Sequence, residues 1–270
     1  MEFSHQTMLV VGLTALLSLP ANAGGIAVEV VAPMPAPEHL YQIEAMLGIN
    51  HAWGTPSALE LGFGGDEEID TLHRDGFKNK AAVGGGLGYN VLPYLIANYG
   101  TPDNQFSYLR DVIVGLDVIF FDTTQTGDVY LFQDPMLSEY TYRLKYKTAR
   151  LMVNTEIGVA TPWERLYPYF QASFGDARVS AGYHDYIKPQ FGEGLEIRVE
   201  PQTTYRFTYS VGAGMKFLIT PDLQLSLSYL YTDFGTVSTI NSFIDESVNV
   251  NPVRMRLRTS TGMLGLACLF

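Results

Sequence analysis

Read at every second residue, the stretch LQLSLSYLYTDFG (223–235) places Leu223, Leu225, Leu227, Tyr229 and Tyr231 on one side and Gln224, Ser226, Ser228 and Thr232 on the other. That is the alternation of a β-strand whose two faces meet different media. Seven further segments share it: YQIEAMLGINHAW (41–53), AAVGGGLGYNV (81–91), DVIVGLDVIFF (111–121), ARLMVNTEIGV (149–159), LYPYFQASFG (166–175), YRFTYSVGAGMKF (205–217) and STGMLGLACLF (260–270). In the segment 149–159, Ala149, Leu151, Val153, Thr155, Ile157 and Val159 oppose Arg150, Met152, Asn154, Glu156 and Gly158. Two full charges and an amide are costly to bury in a soluble core. A barrel with its apolar face in lipid and its polar face in a lumen accommodates the same pattern.

The connections alternate in length. Long polar stretches separate the first segment from the second, the third from the fourth, the fifth from the sixth and the seventh from the eighth. By contrast TPWER (161–165) and TPDL (220–223) are turn-like, with Pro162 and Pro221 at the bend. Long loops on one side and short turns on the other are how outer-membrane barrels are built. The exception is PYLIANYGTPDNQFSYLR (93–110), too long for a tight turn. The expected fold is all-β: an eight-stranded antiparallel transmembrane β-barrel over residues 40–270 with long extracellular loops.

The start of the chain adds a compartment. Met8 to Leu19 is an apolar run too short to cross a bilayer as a helix. Pro20 and the small-residue pattern Ala21-Asn22-Ala23 follow it, so residues 1–23 read as a secretory signal cut after Ala23, although no Lys or Arg precedes the run. Residues 24–39, rich in proline, read as an extended leader.

Composition excludes some classes. The chain has 17 basic and 28 acidic residues, a net charge of −11. Loss of the signal with its single acid, Glu2, leaves −10, which argues against a nucleic-acid partner. One cysteine, Cys268, excludes an intramolecular disulfide and a cysteine-rich metal site.

Taken together, SYLYTDFG (228–235), VGGGLGYN (83–90), PYFQASFG (168–175), YSVGAGMKF (209–217) and the terminal aromatic Phe270 resemble the eight-stranded outer-membrane β-barrel domain shared by the OmpA-type transmembrane domain and the opacity-type surface antigens of Gram-negative bacteria. The resemblance implies a bacterial outer-membrane location and insertion by the barrel assembly machinery, which reads a terminal strand ending in Phe. Here Leu264, Leu266, Cys268 and Phe270 share the outward face. It also implies no wall anchoring, since no peptidoglycan-binding domain follows Phe270.

Candidate chemistry lies on both faces. The inward faces collect Glu44, Asp117, Arg150, Glu156, Arg206 and Lys216, expected to pair as a salt-bridge plug, because an eight-stranded interior is about filled by side chains. The competing reading is a gated pore. Outward parity extended upward places Arg143, Lys145 and Lys147 on one strand and Arg254, Arg256 and Arg258 on another. They are candidates to ring the rim and meet lipopolysaccharide phosphates, and a solvated strand end explains them equally. The acids of GGDEEIDTLHRDG (64–76) lack the spacing of a calcium loop and read as a solvated acidic loop, with no metal expected.

Related barrels include enzymes that act on lipid A or on peptides. This chain offers His51 and the adjacent pair His184-Asp185, whose side chains diverge if the segment is extended. No catalytic residue and no cofactor are expected. The work is then expected of the surface loops, including DVYLFQDPMLSEYTY (128–142), as an envelope-stabilising or adhesin-like protein with a host or envelope protein as partner. The alternative is a narrow pore for small or hydrophobic solutes, as in the OmpW-type barrels.

Overall fold

The computed structural model describes residues 39–270 apart from 64–65, 100–105, 107, 164 and 245–247. The signal peptide and all but the last residue of the leader lie outside the described residues. The strands are β1 (Tyr41–Trp53), β2 (Leu59–Phe63), β3 (Asp66–Lys78), β4 (Lys80–Asn90), β5 (Leu109–Tyr130), β6 (Tyr140–Val159), β7 (Leu166–Ile187), β8 (Arg198–Thr220), β9 (Leu223–Ser238), β10 (Ser242–Ile244), β11 (Val248–Val250) and β12 (Arg254–Leu269).

Eight of them, β1, β4, β5, β6, β7, β8, β9 and β12, form a closed antiparallel ring, since β12 pairs with β1 and β5 pairs with β6. These are the eight alternating segments of the sequence. Starting from Gly48, paired residues lead through Ala82, Phe121, Thr148 and Val179 to Thr204 on β8. The other way round, through Met263 and Ser228, they lead to Gly214 on the same strand. The ten-residue displacement between Thr204 and Gly214 is the shear of the barrel and goes with strands tilted about 40° to its axis. The seam closes at the C-terminus, where the Phe270 carbonyl accepts from the Leu40 and Tyr41 amides and the Phe270 ring stacks on Tyr41.

The expected long loops are mostly strand. β5 to β8 have 20 to 23 residues each, about twice what a tilted strand needs to cross a bilayer. Above the short β4, β3 continues the wall on β5, and β2, β11 and β10 extend it. The acidic stretch 66–76 is therefore part of a strand and not a loop: Asp70 and Leu72 turn inward while Asp66 and Glu67 are exposed. Period-two alternation persists through these upper segments with its polarity reversed, which is why they read as loops.

The long connection after β4 begins with a helix. Helix α1 (Leu92–Tyr99) begins where the Asn90 side chain accepts from the Leu92 and Val112 amides, and Pro93 sits in its first turn, where a missing N–H costs nothing. No helix is long and apolar enough to cross a membrane among the described residues.

Candidate functional site

In the lower part of the barrel, Leu47, Leu87, Leu116, Leu151, Phe170, Leu227, Tyr229, Leu264 and Leu266 are exposed on the outer face. The dry face of 223–235 thus points outward, with Gln224, Ser226 and Ser228 buried inside. The interior at this level is a polar plug in two clusters. In one, the Lys216 ammonium lies 2.6 Å from Glu156 and 3.9 Å from Asp111. The Tyr167 hydroxyl donates to Asp111 (2.7 Å), Gln224 donates to Tyr167 (2.6 Å), and Ser226 donates to Glu44. In the other, Arg150 donates to Ser210 (2.6 Å) and Thr232 (2.7 Å), and Asp117 lies within its field. Small residues make the room: a Cβ at Gly265 would overlap the Glu44 carboxylate, and one at Gly158 the Asp111 carboxylate.

Five of the six expected lumen residues are there; Arg206 is not. Its parity is inward, opposite the buried Ala177, but β8 pairs with β9 only up to Tyr209, and above that level its edge is free and Arg206 is exposed. Asp111 takes a place in the plug that sequence reasoning missed. The plug therefore sets four acids (Glu44, Asp111, Asp117 and Glu156) against two bases, not three against three.

Above the plug the interior turns apolar. Leu59, Leu144, Phe234 and Leu257 are fully buried and the Phe121 and Phe234 rings meet edge to face at 5.6 Å, with the polar side chains of Thr123, Gln125, Thr148 and Thr259 buried among them. Two carboxylates stand in this core near its top. Asp70 accepts from the Phe132 amide (2.9 Å), and Asp185 accepts from the Ile197 amide and the Tyr183 hydroxyl. Burial pushes Asp70 up to about 6 and Asp185 up to about 7.

The adjacent pair His184-Asp185 lies in extended β7 and its side chains diverge across the pleat. Asp185 is buried inside, whereas His184 faces outward against Tyr186 and 3.5 Å from Glu196. His51 bonds Asn79 on the outer face. The tip joining β5 to β6 spans residues 131–139 and opens on a short turn, Leu131–Gln133, with left-handed backbone at Phe132 (φ 52°) and Gln133 (φ 63°). It presents Phe132 at 65% and Met136 at 89% exposure.

The rim cations keep their outward parity. Arg143, Lys145 and Lys147 alternate with buried Tyr142, Leu144 and Tyr146, and Arg254, Arg256 and Arg258 alternate with buried Met255 and Leu257. They do not form one ring, because β6 and β12 lie four strands apart in the ring of eight, on opposite walls. The β12 set is partly committed: Arg256 and Arg258 lie 2.8 and 3.3 Å from Asp233, which also accepts from the Gly235 amide. Asp233 lies inside β9, not at its end. It anchors a bulge there, opposite Leu257, with Gly235 at φ +68°, and the strand continues to Ser238.

No family model and no curated protein matches the chain. Among solved structures it is similar to Neisserial surface protein A, at 14% identity and a TM-score of 0.39, over 85% of this chain and 97% of that one. It is similar to Ail, the attachment invasion locus protein of Yersinia pestis, in complex with the heparin analogue sucrose octasulfate (15%, TM-score 0.33, 86% and 99%). A third is the outer membrane protein OprG from Pseudomonas aeruginosa (10%, TM-score 0.43, 86% and 96%). At such scores the case for a closed eight-stranded barrel stands on the strand pairing of this chain.

Proposed function

We propose that the chain is a bacterial outer-membrane protein whose lower ring is its anchor and whose upper barrel is a rigid, sealed support that displays an apolar tip to a partner at the cell surface, as an adhesin-like protein does. The observation that carries this is the inversion of polarity along single strands. In β6, Leu151 and Val153 are exposed while Arg150, Asn154 and Glu156 are buried; a few residues higher, Lys145 and Lys147 are exposed while Leu144 and Tyr146 are buried. An apolar exterior belongs in lipid and a polar exterior in water, so the bilayer surface crosses β6 near Ala149. The Phe270 seam suits reading by the barrel assembly machinery, and Trp53 against Tyr231 (5.8 Å) suits an aromatic girdle at the head groups.

The plug and the apolar core above it favour display over conduction. The exposed Phe132 and Met136, flanked by Asp134 and Glu139, suit an apolar pocket on a protein better than an anionic membrane surface. The test has two arms. In planar bilayers the refolded chain is expected to pass no steady current, and a current altered by Asp117→Asn would replace display with a pore. Bacteria displaying the chain are expected to adhere to matrix-protein surfaces, with adherence lost in Phe132→Ser/Met136→Ser. Equal adherence of the variant would sink the role of the tip.

A further inference from the structure

We propose that the cationic groove on the outer face of β4 to β7, with Lys147 and Arg178 as its principal ligands, holds the phosphorylated headgroup of an outer-leaflet glycolipid. The proposal rests on the membrane reading above. Lys80, Lys147 and Arg178 line the groove together with Val83, Phe120 and Asp122. Its lower lip is apolar, because Arg178 pairs across to Ala149, Ala149 to Phe120, and Phe120 to Val83. Lys147 pairs across to Ser180, so Arg178, two residues from Ser180 on the same face, is its diagonal neighbour. Diagonal Cβ atoms lie about 7–8 Å apart or less, within which two long side chains converge on one phosphate.

The shear offsets level residues by a little over one residue per strand, and with that allowance Lys147 and Arg178 stand level, one to two pleats above Phe120 and Leu151. A phosphate placed there would leave its acyl chains against the exposed Phe120 (50%) and Leu151 (55%). Arg143 and Lys145 continue the cationic face upward; with Lys80 they bring it to five cations, flanked by three acids, Asp122, Asp176 and, beside Arg143, Asp128, which is held by Lys188. No ion pair within 4 Å engages Lys145, Lys147 or Arg178 among the described residues, in a chain of net charge −11. Charge-assisted hydrogen bonds from such cations to phosphate are short and strong. On the opposite wall Arg256 and Arg258 are held by Asp233 instead, which makes them the matched control.

The chain would be refolded in phosphatidylcholine vesicles carrying either bis-phosphorylated lipid A or its dephosphorylated form. Lipid retained after gel filtration in detergent would be measured by mass spectrometry. Wild type is expected to retain the phosphorylated form about tenfold better. Lys147→Gln/Arg178→Gln is expected to lose that preference, and Arg256→Gln/Arg258→Gln to keep it. Equal retention of the two lipids, or equal loss in both double variants, overturns the site and leaves the membrane reading standing. A chain that shows no heat-modifiable migration from either vesicle overturns the membrane reading, and the site with it.

Discussion

The lower ring and the upper barrel share the continuous strands β5 to β9 and β12, yet they solve the problem of burial in opposite ways. Below Ala149 the interior is held by directional contacts: Lys216 on Glu156 at 2.6 Å, Arg150 on two hydroxyls, and Tyr167 on Asp111. Above it, Leu144, Phe234 and Leu257 pack without polar partners, as in a soluble barrel. In β5, β6, β7 and β12 one backbone parity serves both, so what changes there is only which set of alternate residues is apolar. A plug of ions fails abruptly when one member is lost, because the others remain buried and charged. An apolar core fails in proportion to the volume removed.

The two regions should therefore respond differently to a single truncation. Lys216→Met leaves Glu156 and Asp111 buried without their cation and is expected to cost about 3–5 kcal/mol, read as a lower midpoint for loss of heat-modifiable migration. Phe234→Ala is expected to cost a similar amount, about 3–5 kcal/mol. Its effect should stay in the upper barrel, where amide exchange in residues 120–130 and 140–147 would speed up while 151–159 stay protected. If both variants unfold the whole chain at once, the two regions are one cooperative unit and the contrast fails.

Acid should sharpen the contrast in the opposite sense to ordinary acid denaturation. Asp70 and Asp185 bind their protons more tightly in the folded upper barrel than in the unfolded chain, because burial raises them to about 6 and about 7. The stabilisation is complete below about pH 4 and is lost as the pH rises through 6 to 7, on the order of 3 kcal/mol for each group. Protection factors of the Phe132 and Ile197 amides, which these carboxylates accept from, should be higher at pH 5 than at pH 8 once the hydroxide-catalysed intrinsic rate is divided out. Asp70→Asn/Asp185→Asn should flatten that dependence, and a persistent slope in the double variant would assign it to other groups.

The lower ring was legible because every strand in it obeys one rule, apolar out and polar in, over enough residues to be counted. Upper segments obey the reverse rule, and residues such as Arg178, Ser180 and Gly182 between Ala177, Val179 and Ala181 look like polar loop when the apolar partners are small. Glu44, Asp117, Arg150, Glu156 and Lys216 followed from parity alone. Asp111 joins Lys216 through the shear, a property of eight strands together that no single segment carries. Arg206 has the right parity and the wrong environment, because β9 turns away at Asp233 and leaves its level unpaired. Opposite placement of the two cation ladders likewise needed the ring order.

The smallest effect concerns the tip, and its sign is informative. Phe132 has left-handed backbone at φ 52° with its ring 65% exposed, so it bears the cost of that conformation and recovers little by burial. Phe132→Gly removes the Cβ clash and is expected to stabilise the upper barrel by about 1 kcal/mol, seen as slower exchange of the amide at position 132. Were the ring a structural prop, the same change would speed exchange instead. A tip that becomes more stable when its aromatic ring is deleted, and at the same time loses adherence, would show that the strain is kept for contact with a partner rather than for the fold.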